Sequence, residues 1–464
     1  MPASAPEAKL GASLRNRHVT MIAIGGIIGA GLFVGSSTAI ANTGPAVVIS
    51  YFLAGLLILL IMRMLGEMAA SWPGTRAFTD FIRIGLGDRG GFVSGWLYWY
   101  FWVVVVAVEA IAGAVILKQW LPFEVWQIGI ALLGIMTVAN LFSARSYGEF
   151  EFWLSSMKVA AILLFIALAS LYAVGVTTPV DRALTNLTAH GGFAPAGLGT
   201  VLATVTTVIF ALCGAEIATI AAAEAMEPER TIARLTASVA VRILLFYMLS
   251  IGLIVAIVPW TQIIPGYSPF ATALDHIGIP YAATIMNVVV LVAVLSCLNS
   301  GLYVTSRILF TLAARGDAPR WLVAVNGRRV PVRATLIASL FGYVALAASF
   351  LSPELVFSFL VNASGAIMLI IYVMVAVAHI RMRRHLQRTA PERLTARMWL
   401  FPWLSYITIA GMLAVLAAML LYPDLRVQLL ASLLVAGLVY GAARLKHPAT
   451  SGSLPLLHGP LPSC

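Results

Sequence analysis

Four glycines crowd the tract Gly25-Gly26-Ile27-Ile28-Gly29-Ala30-Gly31-Leu32-Phe33, in the middle of the first long apolar run, where an ordinary membrane span carries Leu and Val. Glycine in a helix interior costs about 1 kcal/mol relative to alanine, so a cluster of them gives the helix licence to break. A second break signal, Phe210-Ala211-Leu212-Cys213-Gly214-Ala215-Glu216, interrupts the apolar run near residues 200–223, about halfway along the chain. Two discontinuous helices in corresponding halves of a membrane protein are the sequence pointer to a transporter's substrate site.

The solvent of the fold follows from composition: 61% of the residues are hydrophobic and 10% are charged. The expected fold class is an all-α, polytopic membrane protein. A span needs about 20 mostly apolar residues. Twelve windows satisfy that need: 19–41, 45–70, 92–118, 125–143, 151–175, 199–223, 237–260, 281–312, 331–350, 355–380, 400–422 and 426–444. Turn residues separate them, among them Gly44-Pro45, the Gly85 to Gly91 stretch, Pro259, Pro265-Gly266, Pro353 and Pro423. Residues 1–18 are polar and basic and lead directly into apolar sequence with no short h-region and cleavage site, so no cleaved signal peptide is expected. Cys213, Cys297 and Cys464 form no disulfide framework.

Basic residues orient this layout, because short cytoplasmic loops accumulate Lys and Arg. With the N-terminus inside, Lys118, Arg182 and Arg426 fall on the outer side and Lys158 falls within a span. The rest of the 29 Lys and Arg lie on inner segments or adjoining helix ends. Both termini are therefore expected in the cytoplasm. The net charge of +11 then reads as topology and attraction to anionic lipid, with no nucleic-acid partner. The Arg381 to Arg397 cluster reads as a solvated inner-face loop. Five spans separate the first interrupted helix from the sixth, so the sixth enters from the opposite side. That is the arithmetic of a five-plus-five inverted repeat. The expected organisation is a cytoplasmic segment at 1–18, a first repeat at 19–175, a second at 199–380, two peripheral helices at 400–444, and a cytoplasmic tail at 445–464.

Breaking a helix in mid-membrane exposes N–H and C=O groups that lipid cannot satisfy. Around Gly29, Ala30 and Gly31 the freed amides are expected to meet the carboxylate of an amino acid. The freed carbonyls near Ile24, Ile27, Phe210 and Ala211 would face its ammonium, with Gly214 at the second break. The competing reading is that the glycines permit close helix packing. Ionisable groups in mid-membrane each need a reason. Glu109 reads as a counter-charge for the ammonium or a proton carrier, against a protonated acid bonded to a neighbouring helix. Glu216 sits where a gate would hinge, against a structural bond capping the broken helix. Lys158 is expected beside the unwound first helix and Ser296, Asn299 and Ser300, replacing a sodium ion and exchanging a proton within the cycle, against a snorkelling side chain. Lys158 and Glu216 are thus the candidate proton-coupling residues.

The aromatic run Trp96-Leu97-Tyr98-Trp99-Tyr100-Phe101-Trp102 reads as an interfacial belt. His18, His379 and His385 read as solvated helix-end residues, and Cys213 as packing. No spaced Cys and His set suggests a metal, no GxxxxGK[ST] element suggests ATP, and neither a cofactor nor a catalytic constellation is expected.

Several stretches together carry a family resemblance: Ile28-Gly29-Ala30-Gly31-Leu32-Phe33-Val34-Gly35-Ser36, Arg63-Met64-Leu65-Gly66-Glu67-Met68, Tyr147-Gly148-Glu149-Phe150-Glu151-Phe152-Trp153 and Ala221-Ala222-Ala223-Glu224. On these the chain resembles the amino acid–polyamine–organocation superfamily and, within it, the bacterial amino acid transporter family. Gly214-Ala215-Glu216-Ile217-Ala218, Gly95-Trp96-Leu97-Tyr98-Trp99 and Ala363-Ser364-Gly365-Ala366-Ile367 look like its 4-aminobutyrate permease branch. The resemblance implies a proton-driven importer in the bacterial inner membrane and not an enzyme. It also implies carboxylate binding at Gly29, Ala30 and Gly31 and coupling at Lys158 and Glu216. That branch commonly has Ser where Gly31 stands here, which bears on the size of the carboxylate pocket. A permease for another neutral or aromatic α-amino acid is the alternative within the family. A channel or membrane amino acid sensor is the alternative outside it.

Overall fold

The computed structural model describes residues 28–72, 75, 77–142, 147–176, 185–214, 216, 243–326 and 330–447. Ile24, Ile27, His18 and the stretch 217–242 lie outside the described residues. Every regular element among those described is helical. This is the solution that an apolar solvent imposes, since a helix satisfies its own backbone groups. Among the described residues, six apolar helical stretches are long enough to cross a membrane: Ala30–Ser71, Phe78–Leu117, Trp153–Ala173, Ala282–Ala314, Pro353–Thr389 and Pro423–Lys446. Shorter apolar helices cover Val125–Leu141, Gly197–Leu212, Leu245–Ile257, Val332–Ala348 and Trp403–Met419.

In chain order the principal helices are α1 (Ala30–Phe33), α2 (Gly35–Thr43), α3 (Val47–Ser71), α4 (Phe78–Leu117), α5 (Val125–Phe142), α6 (Tyr147–Ala173), α7 (Gly197–Ala203) and α8 (Val205–Leu212). There follow α9 (Ser250–Ile257), α10 (Pro269–Ile277), α11 (Ala282–Ala314), α12 (Val332–Ala348), α13 (Pro353–Thr389), α14 (Trp403–Met419) and α15 (Pro423–Lys446). Local chemistry sets several of their ends. Gly44, with φ of 63°, turns the chain between α2 and α3. Ser352 caps α13 by accepting the Leu355 amide at 3.3 Å, with Pro353 in the first turn, where its missing N–H is not needed. Helix α4 bends at Gly87, whose φ of 82° suits glycine.

Helix α4 is the centre of the molecule: 89% of its most apolar window is buried, against 22% for α15. It packs on α13, α11, α12 and α5. That position corrects the reading of its aromatic run as an interfacial belt. Tyr98, Trp99, Phe101 and Trp102 are all buried, because protein covers α4 where a peripheral helix would meet headgroups. Trp99 instead makes edge-on contacts with Trp96 and Phe341, each at 5.4 Å between centroids. A second correction concerns His379 and Arg383. Helix α13 continues to Thr389, so His379 lies well inside it and is fully buried, 3.4 Å from Glu67 Oε2. Arg383 is buried with it and donates to Glu67 at 2.7 Å, so the basic cluster is not solvated throughout.

Between helices, small residues and hydroxyls replace the hydrophobic drive that lipid removes. Thr207 on α8 donates to Asn362 Oδ1 on α13, Asn140 on α5 donates to Asn299 Oδ1 on α11 at 2.7 Å, and Ser50 on α3 donates to the Val201 carbonyl at 2.7 Å. Where α13 crosses α8, a Cβ on Gly365 would stand 2.0 Å from the Thr206 carbonyl oxygen. Backbone cannot retreat from backbone there. Gly365→Ala is therefore expected to destabilise the protein by about 3 kcal/mol, the upper end of overpacking costs. Gly441→Ala, inside α15 with nothing within 4 Å of the new Cβ, is expected to raise stability by up to about 1 kcal/mol. Thermal unfolding of the two purified variants in detergent checks the contrast.

Candidate functional site

At the glycine tract the described residues start in non-helical backbone and enter an interrupted helix. Gly29 is extended (φ −136°, ψ −148°), α1 begins at Ala30, and the helix is interrupted at Val34 before α2 starts. The backbone groups released there find partners within the protein. Ser36 Oγ donates to the Leu32 carbonyl and Ser37 Oγ to the Val34 carbonyl, each at 2.6 Å, and Ser37 Oγ in turn accepts the Gly266 amide at 3.0 Å. The Ala30 amide donates to the Glu109 carboxylate, with both oxygens at 3.0 Å. Glu109 comes from α4 and is buried. Its approach requires glycine: a Cβ on Gly29 would lie 2.6 Å from Glu109 Oε1 and 2.7 Å from Cys297 Sγ.

Lys158 of α6 belongs to the same neighbourhood. Its side chain is fully buried, and Nζ donates to Ser296 Oγ at 2.9 Å, one residue before Cys297 on α11. Snorkelling is thus not its conformation. Asn299, expected beside it, turns instead to Asn140.

The second break follows α8. Cys213 is extended (φ −65°, ψ 155°) and Gly214 takes φ of 104°, a left-handed value that L side chains rarely adopt. The buried Glu216 carboxylate then folds back on this turn and accepts the Gly214 amide at 2.9 Å. Two tyrosines reach it from other helices: Tyr98 of α4 donates to Oε1 at 3.2 Å and Tyr372 of α13 to Oε2 at 3.3 Å. Tyr372 also lies 3.8 Å from Cys213 Sγ. The Ala211 carbonyl accepts from the Tyr247 hydroxyl at 3.0 Å. The Phe210 ring sits 6.2 Å from Phe101 in an edge-on contact.

The two breaks touch. A Cβ on Gly31 would stand 2.7 Å from Ala211 Cα, so α1 and α8 meet backbone to backbone. The candidate residues Gly29, Ala30 and Glu109 therefore form one cluster with Lys158 nearby, while Gly214 and Glu216 form another, and the Gly31–Ala211 contact joins them. Sequence reasoning missed Tyr98, Tyr247, Tyr372 and Cys297 as members. One signal was available: Tyr98 and Glu109 are eleven residues apart, about three helical turns, and so lie on one face of α4 roughly 16 Å apart along its axis. Beyond Tyr98 lies a cavity of about 350 Å³ whose lining includes Thr79, Gly91, Gly95, Tyr98, Arg307 and Arg315. That volume is in the range of small-molecule sites. Tyr98 thus lines the cavity and also, through its hydroxyl, joins the Glu216 cluster.

Comparison with known proteins agrees with this architecture. The amino acid permease family profile matches residues 18–447. The gamma-aminobutyric acid permease of Bacillus subtilis is 46% identical over 430 residues, 92% of this chain and 91% of the relative. That of Escherichia coli is 42% identical over 433 residues, 92% of each chain. The aromatic amino acid transport protein AroP of Corynebacterium glutamicum is 35% identical over 416 residues, 89% of this chain and 90% of the relative.

The Glu216 cluster makes a direct prediction. Tyr98→Phe and Tyr372→Phe each remove one hydroxyl from a buried carboxylate, and each is expected to lower stability by about 1–3 kcal/mol. The double substitution should depart from the sum of the two, because both hydroxyls serve one group. A double-mutant cycle on thermal unfolding measures that coupling. Strict additivity would mean that the two hydroxyls act on Glu216 independently of each other.

Proposed function

Because this chain belongs to the amino acid permease family, we propose that it imports an ω-amino acid, 4-aminobutyrate or a close analogue such as β-alanine, by proton-coupled alternating access. The observation that carries the transport mechanism is the contact of two helix breaks, each meeting a buried carboxylate: Glu109, carried by α4, at the first, and Glu216, bonded by Tyr98 of α4, at the second. The substrate assignment is supported by the two relatives named for gamma-aminobutyric acid, both above 40% identity, against 35% for the aromatic transporter. The proposed frame is twelve spans in the bacterial inner membrane. Residues 19–175 and 199–380 form inverted repeats, 400–444 two peripheral helices, and both termini are cytoplasmic.

In this reading the substrate carboxylate binds the amides around Gly29, Ala30 and Gly31, and its ammonium meets carbonyls of the two breaks. The Ala30 amide is held by Glu109 in this state. Two carboxylates cannot share one amide in a medium of low dielectric without strong repulsion. In this reading Glu109 is neutralised by a proton as substrate arrives, the proton-carrier role of the two its position allows. Glu216 acts as the hinge: its bonds to Gly214, Tyr98 and Tyr372 tie the second break to α4 and α13 in one state and are released in another. Lys158 places a cation beside the first break where a sodium ion would otherwise sit, and its proton completes the coupling.

Two measurements test this. In proteoliposomes, an inward proton gradient is expected to drive uptake without sodium. Lys158→Ala is expected to cut uphill accumulation by about tenfold or more while counterflow exchange persists. Strict sodium dependence, or undiminished accumulation by Lys158→Ala, would overturn the coupling scheme. In competition assays, unlabelled 4-aminobutyrate and β-alanine should displace labelled 4-aminobutyrate far better than phenylalanine does. The reverse order would move the chain to the neutral or aromatic α-amino acid reading.

A further inference from the structure

Away from the helix breaks, the segment between α13 and α14 folds over the end of α3 and brings three guanidiniums together. Arg63 of α3 directs Nε and Nη2 onto the Arg397 carbonyl oxygen, at 3.2 and 2.6 Å, and stacks 5.4 Å from the Trp399 ring. Arg397 is exposed and donates Nε to the Leu394 carbonyl at 3.0 Å. Its two Nη groups have no hydrogen-bond partner among the described residues. Behind them Arg383 occupies Glu67, which also accepts the Met398 amide. Arg63 and Arg397 both repel Arg383, and Glu67 is the carboxylate that faces this set. Three cations thus share one buried anion.

The surface beside this charge is apolar. Leu400 is 78% exposed and is held at φ of 44°. A left-handed leucine costs about 1–2 kcal/mol and persists where its surroundings enforce it. Here the Met398 amide is anchored on Glu67 on one side and α14 begins on the other. Trp403 and Ile407, one turn apart on the same face of α14, are 72% and 63% exposed. An inorganic anion would have no use for such a wall. A phospholipid would, because its phosphate needs forked donors and its chains need an apolar strip bounded by interfacial tryptophan.

We propose that Arg63 and Arg397 bind the phosphate of an anionic phospholipid, with its acyl chains lying along Leu400, Trp403 and Ile407. The site rests on the reading of the chain as a membrane permease with this edge in the inner leaflet. It makes no use of the substrate assignment. Arginine forks phosphate through paired N–H groups, and both residues retain donors for it. Binding there would supply the negative charge that Glu67 alone does not.

The full chain in nanodiscs, titrated with brominated phosphatidylglycerol or brominated phosphatidylcholine, provides the test. The signal is the fluorescence lost to quenching that disappears in Trp399→Phe. Half-quenching is expected at about a thirtyfold lower mole fraction of the anionic lipid, the factor that two guanidiniums at about 1 kcal/mol each supply. Arg63→Gln with Arg397→Gln should abolish that preference. Arg397→Gln alone, an exposed position that leaves the Glu67–Arg383 pair intact, should reduce it if the double variant does not fold. Arg426→Gln, beyond the opposite end of α14, should not change it. Equal quenching by the two lipids, or a preference that survives Arg397→Gln undiminished, overturns the proposal. Displacement of the brominated lipid by millimolar inorganic phosphate overturns it in favour of a free-anion site. The assay needs no transport, so a failed uptake experiment and a failed lipid site are read separately.

Discussion

Backbone groups released in mid-membrane have no solvent to fall back on, and the interior of this protein is organised around supplying them with partners. At the first break Ser36, Ser37 and Glu109 take up the freed carbonyls and amide. At the second, Tyr247 takes the Ala211 carbonyl and Glu216 the Gly214 amide. Each partner must itself be delivered to the right depth by a helix that stays intact. Helix α4 does this for both sites at once, with Glu109 at one level and Tyr98 three turns away on the same face. Its central position and heavy burial follow from serving two breaks that touch each other.

Charge follows a similar logic. Glu109, Glu216 and Lys158 are buried, and each has polar partners on other elements: Ala30, the two tyrosines and Ser296. A buried charge without partners would be prohibitive, while one with several partners can be exchanged between them. A network of this kind is suited to alternation, because moving one helix half changes which partner each carboxylate keeps. The Gly31–Ala211 contact means that neither break can open without the other being affected. In the proposed transport cycle, alternating access then needs no long-range signal between the two breaks.

At the edge of the molecule the Glu67, Arg383 and His379 cluster ties α3 to α13 and folds the segment after α13 inward. This is why part of the basic cluster is structural while Arg397 remains outside. The division between buried and exposed arginines depends on a single carboxylate, Glu67, which accepts from both Arg383 and the Met398 amide. The remaining positive charge, that of Arg397, is left exposed.

Much of the architecture was legible in the chain itself. Apolar composition determined helices, because an apolar medium leaves few other ways to satisfy a backbone. The glycines at 29, 31 and 214 marked the breaks, since the first two must admit a carboxylate or a helix backbone and the third takes a left-handed φ. Glu109, Lys158 and Glu216 stood out because ionisable groups are rare in such sequence. Which helix lies at the centre was not legible: hydropathy reports apolar surface equally whether protein or lipid covers it. For that reason the aromatic run of α4 read as a belt when it is interior, and His379 read as solvated when α13 simply continues past it. Tyr98, Tyr372 and Cys297 were hidden for the same reason. Their roles depend on which neighbour they face across a helix boundary, and only the tertiary packing decides that.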